Sequence, residues 1–297
     1  MTRSLAAVTY VLTLLMVACG DTALTQPSSP ALPPDAPTRI VSMSPTTTEM
    51  LFAIGAGEQV VAVDLNSDYP PPVVTLPKDL SGFEPNVEAI AAHRPDLVVI
   101  TNDLGDVKAG LEALDVEVLL LGAPSKLEDS YAQITELGVA TGHQDQATAL
   151  VTRMRTDIEQ LTDRVRDRSV PVTFFHELDD TLYTATSRTF IGQIYQLAGL
   201  HNIADEADTG ADSDGYLQLS AEFVVQADPD FIFLADSECC GQSLETLAQR
   251  PGFGDLTAVR SSRVVVVDGD LSSRWGPRVV DFLRVVLDAT AAVGSER

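Results

Sequence analysis

The sequence predicts an α/β protein with two parallel-sheet lobes joined by a single long α-helix and a ligand cleft between the lobes. Three observations carry that expectation. One helix–strand unit is written twice: Asn86 to Asp96 runs into Leu97–Ile100, and Ser220 to Asp230 runs into Phe231–Leu234. In both copies a good N-cap residue opens the helix, a glutamate (Glu88, Glu222) falls in the first turn where the helix dipole favours an anion, and a proline stops it. Apolar β-rich runs then alternate with helical patterns in both halves of the chain, as parallel sheets covered by helices require. Between the halves, Ala147, Val151, Met154, Ile158, Leu161 and Val165 recur at alternating steps of four and three, an apolar stripe along one helix.

The elements follow in order. Arg3 precedes an apolar run from Leu5 to Val17, too short to span a bilayer comfortably, and Val17-Ala18-Cys19 follows it. Residues 1–18 therefore read as an export signal cleaved before Cys19, whose sulfur takes the lipid of a bacterial lipoprotein; a plain secretory signal cut near Ala18 is the alternative. Residues 19–37 carry Pro27, Pro30, Pro33, Pro34 and Pro37 among Ser and Thr, and read as an extended tether able to reach roughly 50 Å. The N-terminal lobe spans 38–143, with strands at Arg39–Val41, Val60–Val63, Leu97–Ile100 and Val116–Leu121 and helices at Pro45–Ile54 and Val107–Ala113. The connecting helix occupies 144–168 and is about 35 Å long. The C-terminal lobe spans 169–297, with strands at Val170–Phe175, Leu182–Ala185, Phe231–Leu234 and Arg263–Val267 and helices at Ser187–Ala198 and Ser243–Ala248.

Composition excludes some functions. With 43 acidic against 19 basic residues the formal charge is −24, opposite to what nucleic acid or an anionic membrane surface attracts, so the lipid anchor is the expected membrane attachment. Three cysteines, one assigned to lipid, leave no multi-disulfide framework. Gly55-Ala-Gly57 follows a helix and reads as a C-cap, not a nucleotide loop.

Ligands of parallel sheets bind beyond the carboxyl ends of the strands. The residues there include Ser44, Asn66, Asn102, His176, Glu177, Cys239, Cys240, Arg274 and Trp275. His176 and Glu177, in Phe175-His-Glu-Leu-Asp-Asp180, are candidates for a metal or a polar ligand, with a locally bonded loop histidine as the alternative. The adjacent Cys239-Cys240 pair leaves three readings open: a strained disulfide, soft metal ligation together with Glu238 or His176, or two packed thiols. Arg274 and Trp275 suit a planar or anionic ligand by charge and stacking.

Arg39-Ile-Val-Ser-Met-Ser-Pro-Thr-Thr-Thr-Glu-Met-Leu-Phe-Ala-Ile-Gly-Ala-Gly57 closely resembles the opening of the substrate-binding proteins of ABC importers for cobalamin, haem and ferric siderophores. Asp68–Pro71, Asn86–Ile100, Leu137–Gly142, Thr189–Gly192, Gln218–Glu222 and Gly276–Arg278 continue the match to cover nearly all of the chain from Thr38. The resemblance implies an exported, monomeric, non-enzymatic receptor that hands a metal chelate or corrinoid to permease and ATPase subunits and needs no cofactor beyond iron or cobalt in the cargo. It implies that Glu88 and Glu222 dock onto basic residues of the permease. Asn66 and Gly82 stand where aromatic contacts to a corrin are expected, with Phe83, Tyr216 and Trp275 as substitutes; Arg188 and Arg274 are the candidates for an anionic chelate. An enzyme of metal or cofactor chemistry on the same lobes, and a direct metal-ion binder through His176, Cys239 and Cys240, are the rival readings.

Overall fold

Two sheets of identical connectivity are joined by one long helix. The computed structural model describes residues 32–166, 170–210 and 214–291. The export segment, Cys19 and the tether through residue 31 lie outside them. From Pro33 onward the chain is one compact unit. It forms β1 (Ile40–Ser42), α1 (Pro45–Ala53), β2 (Val60–Val63), α2 (Val87–Ala92), β3 (Leu97–Ile100), α3 (Val107–Glu112), β4 (Glu117–Leu120) and α4 (Leu127–Thr141). After α5 (Gln144–Thr162) come β5 (Val172–Glu177), β6 (Tyr183–Ala185), α6 (Phe190–Leu197), β7 (Leu200–Asn202), β8 (Tyr216–Gln218), α7 (Ala221–Ala227) and β9 (Phe231–Leu234). The chain closes with α8 (Ser237–Cys240), α9 (Leu244–Ala248), α10 (Thr257–Arg260), β10 (Val264–Val266), α11 (Gly269–Ser273) and α12 (Val279–Thr290).

The first sheet has the order β2-β1-β3-β4 and the second β7-β5-β9-β10, all pairs parallel. Counted within its own lobe, each sheet runs second, first, third, fourth. β6 and β8 form a separate antiparallel ribbon. The two written copies of the helix–strand unit occupy the same place, α2 feeding β3 and α7 feeding β9. Asn86 accepts the amide of Ala89 at 2.8 Å and Ser220 that of Phe223 at 3.1 Å, so both act as N-caps. The echo goes one residue further than the helix: Asp96 accepts the amides of Thr38 and Arg39, while Asp230 accepts the amide and hydroxyl of Thr173. Each aspartate thus fastens the strand beside its own.

The spine is α5, 19 residues and about 28 Å. Its stripe is buried at Ala147, Leu150, Met154, Ile158 and Leu161, and it packs between α4 and α12. A methyl group at Gly138 of α4 would collide with Ala147, so glycine is what lets the two helices touch. One apolar core runs from Ile40, Met50 and Leu97 of the first lobe through Met154 and Ile158 to Phe174, Tyr195 and Leu283 of the second. The outer faces of the two sheets bury separate clusters.

Several elements depart from the expectation, and α5 ends at Thr162, short of the 168 read from the sequence. The helix α4 and strands β7 and β8 were not anticipated. β5 runs two residues beyond Phe175, which moves His176 and Glu177 from a loop into a buried strand end.

Candidate functional site

The β1–α1 turn, the segments after β2 and β3, and α11 with the residues after it enclose a cavity of about 670 Å3. The first lobe contributes Met43 to Thr46, Asp64 to Asn66, Asp68, Lys78, Gly82, Phe83, Thr101 and Asn102; the second contributes Asp270 and Ser273 to Trp275. Of the residues singled out from sequence, Ser44, Asn66, Phe83, Asn102, Arg274 and Trp275 are brought together here.

The wall on the first lobe is preorganised by a chain of short polar side chains. Ser42 lies between the hydroxyls of Thr47 at 2.8 Å and Thr48 at 2.9 Å, and Thr48 reaches Ser67 at 3.0 Å. Ser67 in turn donates to the buried carboxylate of Asp64, which also accepts the Asn66 amide. Buried hydroxyls need partners, and this network supplies them. Gly82 passes so close to the Met43 carbonyl that a Cβ there would lie 2.5 Å from its oxygen. No aromatic fits at 82, and the neighbouring Phe83, 74% exposed, presents its ring at the cavity instead.

Arg274 does not play the part of a free anion-binding group. It is 6% exposed, and Nη1 donates to Glu49 and to Asp68, both at 2.9 Å, while Nη2 pairs with Asp270. Its charge is spent on three carboxylates, of which Glu49 and Asp68 belong to the opposite lobe. Burial raises the carboxyl of Asp270 against the pull of Arg274. The indole of Trp275 donates to Gln133 at 3.0 Å, and its backbone carbonyl accepts from Ser130. Both partners are on α4, so this segment of the second lobe is gripped by the first. Arg188, the other candidate for an anionic chelate, forms a fork onto Asp208.

The remaining candidates lie elsewhere. His176 is fully buried, its Nδ1 2.8 Å from the Tyr195 hydroxyl and its ring tilted against that of Tyr195, which in turn packs on Phe174 and Phe233. Desolvation pushes His176 down to about 3, so the imidazole is held neutral in the core of the second lobe, away from the cavity lining. Glu177 is also fully buried and holds Arg250 through two bonds of 2.6 Å. Burial outweighs Arg250 and, with Asp236 beside it, pushes Glu177 up to about 7. Asp236, 0% exposed, is raised by the same desolvation. Tyr216 is half-buried on β8 and packs against the core. Cys239 and Cys240 are exposed on α8 and joined to each other by a disulfide. With those sulfurs bonded to each other on an exposed helix and His176 fully buried, the three do not assemble a metal site. Among the described residues no group of three or more His, Cys, Asp or Glu is placed to hold a metal.

Sequence reasoning missed Glu49, Asp68, Ser130 and Gln133, which hold Arg274 and Trp275. Glu49 lies inside the quoted Arg39–Gly57 stretch; its partners more than 200 positions away carry no local signal. Glu88 and Glu222 are exposed in the first turns of α2 and α7.

Two parallel-sheet lobes on one helix, with a polar cleft at the strand ends, define a two-lobed solute-binding protein. Residues 40–271 match the family model for the periplasmic binding protein, and the chain belongs to that family. It is 28% identical over 253 residues to the uncharacterised ABC transporter substrate-binding lipoprotein YvrC of Bacillus subtilis, covering 82% of this chain and 77% of the relative. It is 30% identical over 249 residues to the vitamin B12-binding protein of Pectobacterium carotovorum, covering 82% and 85%. A periplasmic haem-binding protein of Pseudomonas aeruginosa superposes with a TM-score of 0.74 at 26% identity, over 88% of this chain and 94% of that one.

Proposed function

We propose that this protein is the extracytoplasmic substrate-binding lipoprotein of an ABC importer and that its cargo is a corrinoid. The observation that carries the ligand assignment is the chemistry of the cavity wall. Arg274 is already neutralised by Glu49, Asp68 and Asp270, and Asp64 adds a further carboxylate, which disfavours a polyanionic ferric chelate. A haem iron is held by His, Tyr, Cys or Met; the described lining has none of the first three, and its Met43 is buried. A corrinoid brings cobalt already coordinated by its macrocycle, and presents a rim of neutral amides. Ser44, Asn66, Asn102 and Ser273 offer neutral hydrogen-bonding groups to such a rim, and Phe83 and Trp275 offer apolar faces. The vitamin B12-binding relative at 30% identity supports the same reading.

In this reading Cys19 carries the lipid, the part of the expected 19–37 tether before Pro33 is the free spacer, since Pro33 onward belongs to the compact unit, and the lobes act as a monomer. The cargo is captured without bond making or breaking, after which Glu88 and Glu222 dock onto basic residues of the permease, which acts with its ATPase subunits. None of the described helices is long and apolar enough to cross a membrane. The test is a thermal-shift series on the chain from Thr38 onward with cobalamin, cobinamide, haem and ferric siderophores. A ligand at a hundred times its Kd adds about 2.7 kcal/mol, moving the midpoint by several degrees. A shift with the corrinoids alone is expected; a shift with haem or a siderophore alone overturns the assignment.

A further inference from the structure

We infer that Glu49 is the positioning residue of the cleft: it holds Arg274 and Arg278 together and through them keeps Trp275 at the cavity wall. Trp275 belongs to the short segment between α11 and α12, yet its restraints come from the other lobe. Glu49, on α1, is 3% exposed and accepts from Arg274 Nη1 at 2.9 Å, from Arg278 Nε at 2.8 Å and from Arg278 Nη2 at 2.6 Å. One carboxylate therefore receives two guanidinium groups that flank the tryptophan on both sides in sequence. Such charge-assisted, two-pronged bonds fix geometry as well as adding energy.

The other contacts do not replace it. Asp68 and Asp270 pair with Arg274 only, and the Asp68 side chain is 57% exposed, where screening weakens the pair. Arg278 has its ion pair with Glu49 and otherwise lies over the ring of Tyr69, 4.3 Å from the centroid. Without Glu49, two like charges face each other across a buried site, and the relief open to them is for the segment to swing out from the first lobe. That movement draws the indole from Gln133 and the Trp275 carbonyl from Ser130.

The chain contains one tryptophan, so its fluorescence reports on this ring alone. The experiment compares unliganded wild type, Glu49→Gln and Asp68→Asn by emission maximum and acrylamide quenching. Cobalamin affinity is then measured on the same samples, and this second arm rests on the corrinoid reading. Glu49→Gln is expected to shift emission to longer wavelength, to raise quenching, and to weaken cobalamin binding about tenfold or more, the worth of one lost charge-assisted contact. Asp68→Asn, which removes one of the three carboxylates on Arg274 and leaves Arg278 on Glu49, is expected to shift the emission less than Glu49→Gln does; an equal or larger shift overturns the inference. Unchanged emission and quenching in a folded Glu49→Gln protein overturns the inference. If that variant fails to fold by circular dichroism, Arg278→Lys, which keeps the charge and loses the fork, must show the same spectral change, and its absence is equally decisive. Wild type that binds no cobalamin sinks the functional reading, while the unliganded spectra still decide the role of Glu49.

Discussion

Glu177 makes the stability of the second lobe depend on pH in a direction opposite to most carboxylates. Its folded-state value of about 7 stands above the ordinary 4.5, because desolvation outweighs the fork from Arg250 and Asp236 adds repulsion. Between those values the folded protein holds a proton that the unfolded chain has released. The contribution is fully present below pH 4.5 and is lost as pH rises through 7. At roughly 1.4 kcal/mol per pH unit, that window is worth about 3 kcal/mol. Carboxylates held low by their partners act oppositely: Asp96, bound by Thr38 and Arg39, loses stability as pH falls. The informative quantity is therefore a difference. Urea unfolding of wild type and Glu177→Gln at pH 5, 6, 7 and 8, in salt sufficient to screen the surface, supplies it. The glutamine keeps one acceptor for Arg250 but cannot titrate, so the two stability curves should diverge by about 3 kcal/mol across the range. Parallel curves from pH 5 to 8 would refute the argument.

Two further outcomes follow from the surface. Changing Glu88 and Glu222 together to Ala should abolish uptake in a strain dependent on this transporter while the purified protein keeps its ligand affinity; unimpaired uptake, or lost affinity, removes the docking role. Phe83→Ala should leave the melting temperature within a degree or so, since a mostly exposed ring contributes little to the core, yet weaken cobalamin binding by about 1 kcal/mol through lost stacking, measured by calorimetry.

Local signals in the sequence carried most of the fold. Caps, prolines and apolar runs sit within a few residues of one another, so the repeated unit before β3 and β9 and the stripe of α5 were both visible. The Pro-Asp pairs at 95–96 and 229–230 were visible as well, although their use in fastening the neighbouring strands shows only in three dimensions. The helix α4 escaped because its buried face includes Ser130, Gly138 and Thr141, which do not register as apolar. The site was less legible for a different reason. His176 and Glu177 look like functional polar residues until Tyr195 and Arg250 are seen beside them, 19 and 73 positions away. Arg274 looks like a free cation until Glu49 arrives from 225 positions off. Neutralisation is a property of the fold, and no pattern around the arginine announces it.

The continuous core through α5 bears on how this protein would serve as a biosensor. Prising the lobes apart bares apolar surface at about 25 cal/mol per Å2, so exposing even 200 Å2 costs about 5 kcal/mol. That rivals the whole stability of many domains, and an ordinary small ligand has little to spare for it. A pair of dyes with one on each lobe would therefore see almost no change in separation when cargo arrives. The useful place for a label is the exposed rim at Phe83, where occupancy alters the surroundings of the dye while the lobes hold their distance.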